Sequence, residues 1–344
     1  MRGAVFYEHG TPDVLTTTAD LPVPEPGAGE VRVRIHAAAL NRLDLWVRVG
    51  WAGLKLHLPH ITGSDGAGVV DAIGDGVTGF AVGDRVCIDS TIVPPDSPTL
   101  YTGLENQGRI AILGEHKPGL AAEYAVLPAR NLLKLPEHIA FEDAAAAGLV
   151  YVTAWHSLIT RGGLKPGETV LIVGAGGGVN SASIQIAKLA GATVYVVGSN
   201  ADKCRKAEAL GADVTINREE YEDWAKQVFQ LTNRQGVDVV VDNVGKATLF
   251  GSMRSVRIGG RILIVGNTSG PQFELDIRYL FSKHISIIGS TMGPHVDYVR
   301  VMQLVFDGKL KPVIGEILPL DAVQTAHRLL EDGQLFGKVV LTIG

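Results

Sequence analysis

Hydrophobic and polar positions alternate along Val31-Arg-Val-Arg-Ile35, the period of a strand with one face buried and the other in water. The period returns at Gly66 to Ile73 and at Asp84 to Ile88, with Gly74, Gly76, Gly79 and Gly83 between them, which predicts a small antiparallel barrel or sandwich with a loop system. From Asp89 to Glu115 the period is lost: Pro94-Pro-Asp-Ser-Pro98 stiffens the chain and Tyr101 to Gly108 is polar. An irregular run of this length inside a compact domain is a functional loop or a lobe once held by something else. Strand character resumes at Gly119 to Val126, and Leu133 to Pro136 ends this first block.

After Glu142 the pattern changes. A helix with acidic residues in its first turn opens at Glu142, and a second is expected over Thr153 to Thr160. Nearly continuous apolar runs then alternate with amphipathic ones. Strands are expected at Gly167 to Val173, Thr193 to Val197, Val214 to Ile216, Val237 to Val241, Arg261 to Val265 and Lys283 to Ile288. The intervening helices are Val179 to Leu189, Asp202 to Leu210, Trp224 to Leu231 and Leu249 to Ser255. Repeated strand and helix units with apolar strands predict a parallel sheet covered on both faces. The tail carries helices at Asp297 to Phe306 and Asp321 to Leu330 and a strand at Lys338 to Ile343, closer in character to the first block than to the second. The division expected is 1–130 for a first domain, 131–292 for an inserted parallel α/β domain, and 293–344 for a return segment that completes the first.

The strongest local signal is Val170-Leu-Ile-Val-Gly-Ala-Gly-Gly-Gly-Val-Asn180, a buried strand that enters a turn without side-chain bulk and leaves as a helix. Free N–H groups at the helix start and the helix dipole both favour a diphosphate in that turn, so Gly176, Gly177, Gly178 and Val179 are candidate cofactor contacts. Asn180 stands where a third packing glycine is usual. The next strand decides the cofactor, because a carboxylate at its end would take a ribose hydroxyl of NAD and repel the extra phosphate of NADP. Here Ser199 and Asn200 follow the strand, with Lys203, Arg205 and Arg218 as sources of charge and Asp202 opening the next helix. That favours NADP, with NAD as the alternative. Two further strand ends, Asp242-Asn-Val-Gly245 and Val265-Gly-Asn-Thr-Ser-Gly270, add Asn243, Gly245, Gly266, Asn267 and Thr268 as candidates to line the ribose and nicotinamide.

Composition narrows the picture. The chain has 344 residues, room for about two domains, and its 46% hydrophobic content is too high for disorder. With 31 Lys plus Arg against 36 Asp plus Glu the net charge is −5, which gives no support for a nucleic-acid or anionic-membrane partner. Only 2 cysteines occur, Cys87 and Cys204, far from any metal-ligand spacing, so a disulfide scaffold and a cysteine-built structural zinc site are excluded. No apolar targeting segment is visible, and the expectation is a cytoplasmic protein.

The motifs in order resemble the medium-chain dehydrogenase/reductase superfamily, and within it the zinc-independent quinone oxidoreductase-like and alcohol dehydrogenase-like members. The resemblance covers essentially the whole chain. It runs through Gly27-Ala-Gly-Glu-Val-Arg-Val, Ala39-Leu-Asn-Arg-Leu-Asp44, Gly63-Ser-Asp-Gly-Ala-Gly-Val-Val70, Gly83-Asp-Arg-Val86, Ala121-Ala-Glu-Tyr124, Ala154-Trp-His, the glycine turn, and Phe336-Gly-Lys-Val-Val-Leu341. It implies an α/β protein with a GroES-like, mostly β catalytic domain in two pieces and an inserted Rossmann doubly wound nucleotide-binding domain. It also implies a homodimer formed along the sheet edge around Ile285 to Ile288. Many members hold a catalytic zinc by Cys, His and Cys. The matching positions here are Asn41, Ser64 and about Leu149, a set too weak for zinc, so no metal is expected.

Without a metal to stabilise an alkoxide, the easier reaction is hydride transfer from NADPH to a quinone or an α,β-unsaturated carbonyl. The resemblance places Asn41 beside the substrate, as an oxyanion donor or as a structural tie for the loop before Asp44. Asp44 orients Asn41 or caps the helix Leu45 to Val49, and as a general acid it would need a large upward pKa shift. Trp46, Trp51 and Tyr101 offer flat walls for an aromatic acceptor, whereas Trp155 is expected to pack its helix. Thr153 is similar to the family residue near the nicotinamide amide, and Lys338 to the lysine near the cofactor. His116 and His156 are candidate acid/base residues, weighed against the reading of a lone histidine as structural or solvent-facing. The competing readings are an alcohol or aldehyde dehydrogenase of the same superfamily and a non-enzymatic NAD(P)H-binding protein.

Overall fold

The structure, a computed structural model, describes residues 1–344. Its contacts divide the chain into two compact units, one formed by residues 1–152 with 293–344 and one by residues 153–292.

The first unit is built around the long strand Glu30–Leu40. Val31, Val33 and Ile35 turn into the core while the intervening side chains face outward, and Ala37, Ala38 and Ala39 are then buried in succession. Small residues suit that stretch because neighbours cover both of its faces. The strand is flanked by Asp65–Ile73, Tyr124–Pro128 and Lys338–Thr342, all antiparallel to it. The sheet extends on one side through Arg85–Ile88 to Leu132–Lys134, and on the other to Ile314–Pro319. Gly68 is required by a close approach, since a Cβ there would stand 2.0 Å from the Arg34 carbonyl oxygen. The small sheets Leu15–Thr18, Gly3–Phe6, His60–Ile61 and Thr91–Ile92, Ala111–Ile112 complete the β content. The return segment supplies the helices His295–Phe306 and Val323–Asp332.

Residues 131–152 belong to this unit and not, as the sequence reading had it, to the second. Leu132–Lys134 adds a strand against Val86, Cys87 and Ile88. The Leu149 N–H donates to Asp65 Oδ1 at 2.7 Å, and Tyr151 donates its hydroxyl to the Lys311 carbonyl at 2.7 Å. The two helices expected after Glu142 form one continuous run, Phe141–Trp155 followed by a π-helical turn over His156–Arg161.

The second unit is an all-parallel six-stranded sheet of Thr169–Val173, Thr193–Gly198, Val214–Asn217, Val237–Asp242, Val256–Ile264 and Ser286–Gly289. Numbered in chain order, the strands lie 3-2-1-4-5-6, the doubly wound arrangement. Val170, Leu171, Ile172 and Val173 are all buried, as a strand covered on both faces must be. Leu171, Val173, Tyr195 and Val197 share a core with Trp224, Val228 and Met253 of the helices Trp224–Leu231 and Leu249–Ser255. The last strand starts at Ser286, because Lys283 instead ends the helix Arg278–Lys283 and His284 turns left-handed at φ 52°.

Candidate active site

In the second unit the glycine turn follows its strand as expected. Gly174 holds φ +100°, the left-handed region where only glycine is unstrained, and its N–H donates to the Val197 carbonyl at 3.0 Å. Gly177 is the cap of the helix Gly178–Leu189 and brings no side chain to the helix's first N–H groups. A Cβ added at Gly177 would meet nothing within 4 Å, so the space over the helix start is open. Gly176, Gly178 and Val179 are half-buried beside it. This cradle fits a diphosphate.

At the end of the second strand Ser199 is exposed, and Asn200 caps the helix Ala201–Ala209 by accepting the Lys203 N–H at 2.9 Å. That bond uses the Asn200 carbonyl and leaves its amide hydrogens as donors. Lys203 is buried, and Arg205 is paired with Asp202 at 3.1 Å. Asp202 also pairs with Lys206 at 2.8 Å, so that carboxylate is engaged within its own helix. The Arg218 N–H donates to the Gly198 carbonyl at 3.0 Å while its guanidinium side is exposed, placing that residue beside the strand end.

The turn after the fourth strand is organised by Asp242, which the sequence reading passed over. Its fully buried carboxylate accepts the N–H groups of Val244 and Gly245 at 2.9 and 3.0 Å and the hydroxyls of Thr248 and Ser252 at 2.9 and 2.7 Å. The available signal was the acid followed by short hydroxyl residues on one face of a helix. Gly245 turns left-handed at φ +85°, and the Thr268 N–H donates to the Asn243 carbonyl at 3.2 Å. A Cβ at Gly266 would stand 3.0 Å from that same oxygen. Asn243, Gly245, Gly266 and Thr268 are thus brought together at the carboxyl ends of neighbouring strands. Thr153 is buried, and its Oγ1 has no hydrogen-bond partner, a polar atom that fits a bound amide.

In the first unit Asn41 ends the long strand and caps the helix Arg42–Val49. Asp44 Oδ2 accepts the Asn41 N–H at 2.6 Å and the Ser64 hydroxyl at 3.0 Å, and its Oδ1 accepts the Gly63 N–H at 3.0 Å. Asn41 Nδ2 donates to Ser64 Oγ at 2.9 Å and to Asp65 Oδ2 at 2.8 Å. Both amide hydrogens are therefore engaged inside the protein, and the oxyanion-donor role expected for Asn41 has no free hydrogen in this arrangement. The Lys338 ammonium donates to Asn41 Oδ1 and, at 3.1 Å, to Asp65 Oδ2. Lys338 is thus engaged by two side chains of the first unit. A Cβ at Gly148 would stand 2.4 Å from Asp65 Oδ1, so the helix must carry a glycine there.

Burial pushes the Asp44 carboxyl up to about 6 against the hydrogen bonds that favour its anion. Burial also raises Asp65, with the Lys338 charge opposing.

The positions matching a zinc ligand set are brought together, Asn41 on Ser64 and the Leu149 N–H on Asp65, but they do not fit the metal. They offer an amide, a hydroxyl and an alkyl side chain, and the cation in their midst is the Lys338 ammonium. No group of three or more His, Cys, Asp or Glu side chains has the arrangement of a metal site.

The aromatic candidates part company. Trp46 and Trp51 are partly exposed near that helix. Tyr101 is 78% exposed, at φ 63°, and lines a separate cavity of about 350 Å³ with Leu100, Glu105, Val296 and a hydrogen-bonded pair, Asp89 and His295. Asn41, Asp44 and Trp46 do not line it. His116 accepts the Ile112 N–H in a turn, and His156 is buried.

Comparison with known proteins bears on all of this. Residues 27–137 match the alcohol dehydrogenase GroES-like domain, and residues 178–307 match the zinc-binding dehydrogenase family. The chain is 31% identical to the quinone oxidoreductase of Homo sapiens, covering 100% of this chain and 98% of that protein. It is 32% identical to the crotonyl-CoA reductase of Streptomyces collinus, over 92% of this chain and 80% of that one. Among solved structures, an NAD-dependent alcohol dehydrogenase superposes with a TM-score of 0.96 at 48% identity, covering 100% of both chains.

Proposed function

The chain belongs to the medium-chain dehydrogenase/reductase superfamily, and on that premise we propose that it is an NADPH-dependent oxidoreductase that reduces a quinone or an α,β-unsaturated carbonyl without a metal ion. The observation that carries the choice of reaction is the Lys338, Asn41, Asp65 and Ser64 network at the positions where zinc ligands would stand. Nothing there acts as a Lewis acid on an alcohol oxygen, so the acceptor must bring its own electron-poor carbon. When bound, the reduced nicotinamide supplies the hydride.

The protein's own part is to bind, orient and keep water away. Gly176, Gly177, Gly178 and Val179 take the diphosphate, Ser199 and Arg218 the extra phosphate, and Asn243, Gly245, Gly266 and Thr268 the ribose and nicotinamide end. Thr153 meets the carboxamide with its otherwise unpartnered hydroxyl. Asn41 and Asp44 fix the loop geometry of the first unit, and Trp46 offers an apolar wall. A proton from water completes the reduction. The last strand of the parallel sheet leaves one edge open, with Ile277, Phe281 and Ile287 exposed nearby, and we extend the proposal to a homodimer joined there.

A second reading, an NAD-dependent alcohol dehydrogenase, draws on the 48% identity to a solved structure of that kind. Purified protein assayed with NADPH against quinones and enones, and with NAD and NADP against alcohols, with metal analysis of the same sample, separates the two. The first reading expects acceptor reduction by metal-free protein. Stoichiometric zinc with chelator-sensitive alcohol oxidation overturns it, and cofactor binding without turnover across both panels favours a non-enzymatic binding protein.

A further inference from the structure

The order of the parallel sheet reverses between its first and fourth strands, which lie side by side with Val173 opposite Asp242. A ligand crevice opens at the carboxyl ends of such a pair, because the chains leave it toward opposite faces. One side-chain hydrogen bond spans the two turns there: Asn243 Nδ2 donates to Asn180 Oδ1 at 2.9 Å. Asn180 is the residue that departs from the glycine pattern. It is the third residue of the helix Gly178–Leu189 and is 4% exposed. A glycine at that position has no group with which to make the bond.

The partners set the direction of the bond. Asn180 Nδ2 points at the Val173 carbonyl, 3.5 Å away, and would lie 2.8 Å from a Cβ on Gly174, so the glycine turn closes over the amide nitrogen. Its oxygen is left to accept, Asn243 must donate, and Asn243 Oδ1 is left as an acceptor. The Asn243 backbone is held as well, by the Thr268 N–H on its carbonyl. The turns after the first, fourth and fifth strands therefore meet at Asn243.

We propose that Asn180 is a positioning residue for the bound dinucleotide: it clamps Asn243 across the point where the strand order reverses and orients Asn243 Oδ1 as a fixed acceptor for a hydroxyl or amide donor of the nicotinamide half. The proposal rests on the dinucleotide reading above. A residue that only packs the helix start would affect stability; a residue that acts through Asn243 affects cofactor binding only while Asn243 is present.

The test is a double-mutant cycle on the full-length protein, N180G, N243A and the pair together, read as dissociation constants for NADPH and NADH by fluorescence titration. N180G is expected to weaken the preferred cofactor roughly five-fold, the effect of one lost hydrogen bond. The same change in the N243A background is expected to add nothing. N180A, which keeps a helix-favouring side chain, repeats the cycle should N180G lower the thermal midpoint. Unchanged affinity in both single variants, or an equal loss with and without Asn243, overturns the proposal. Wild-type protein that binds neither nucleotide overturns the dinucleotide reading itself, a different result from firm binding that is indifferent to Asn180.

Discussion

Lys338 Nζ stands 3.1 Å from Asp65 Oδ2, with the two side chains only 4% and 0% exposed. An ion pair so far from water is weak support for stability as a unit, but removing one partner leaves the other buried and uncompensated. K338M is therefore expected to lower the unfolding free energy by about 3–5 kcal/mol. The pair D65N/K338M, which removes both charges and keeps an acceptor for the Leu149 N–H, is expected to recover most of that loss. Urea unfolding of the three proteins checks both statements; a K338M loss below about 1 kcal/mol would mean that the charges are not coupled.

Asp44 makes a prediction in pH. Its carboxyl is raised from an ordinary 3.8 to about 6, so the native state holds the proton more tightly than the unfolded chain. As pH rises from about 4 to about 6, the unfolded chain has already ionised this group while the native state has not, and stability falls; above about 6 both are ionised and the cost stays constant, at about 3 kcal/mol. D44N carries no charge at any pH. Its stability measured against wild type should therefore rise by about that amount between pH 4 and pH 7, whatever constant offset its altered hydrogen bonds bring. A difference that stays flat over this range would show that Asp44 does not titrate in it.

Local pattern was enough for much of the fold. Alternation at Val31, Val33 and Ile35, the unbroken run Val170 to Val173, and the glycine turn after it each encode which faces are covered. What the pattern does not carry is partnership over distance. Leu132–Lys134 looks the same whether it joins one sheet or another, and only its pairing with Val86 to Ile88 assigns it to the first unit. Lys338 follows a glycine at the start of a strand, which reveals nothing of Asn41 or Asp65, each more than two hundred residues away in the chain. The candidate residues of the glycine turn could be named from spacing, whereas the engagement of both Asn41 amide hydrogens depends on Ser64 and Asp65 lying opposite, a matter of strand register.

Cofactor choice turns on the end of the second parallel strand. Ser199 is exposed there, and Arg218 is tied by its backbone to Gly198 with no carboxylate on its guanidinium. S199D would set a negative charge where the extra phosphate of NADP is expected, and R218A would remove a positive one. Each is expected to raise the NADPH dissociation constant about ten-fold or more, with NADH unchanged in R218A and tightened in S199D. Parallel titrations with the two nucleotides read this directly, and wild-type protein that prefers NADH would reverse the assignment of Ser199 and Arg218.

Thr153 separates a role in binding from a role in folding. Its hydroxyl is buried without a partner, an arrangement that costs stability unless something arrives to satisfy it. Valine has nearly the same shape and no hydroxyl, so T153V is expected to leave the unliganded protein as stable as wild type or more stable by about 1 kcal/mol. If the hydroxyl meets the carboxamide of the nicotinamide, the same change weakens NADPH binding several-fold, and the stabilisation that saturating NADPH confers on thermal unfolding shrinks in proportion. The signature is the opposition of the two effects, a firmer free protein that gains less from its cofactor. A T153V protein that loses stability without ligand and keeps its affinity would assign Thr153 to the packing of its helix instead.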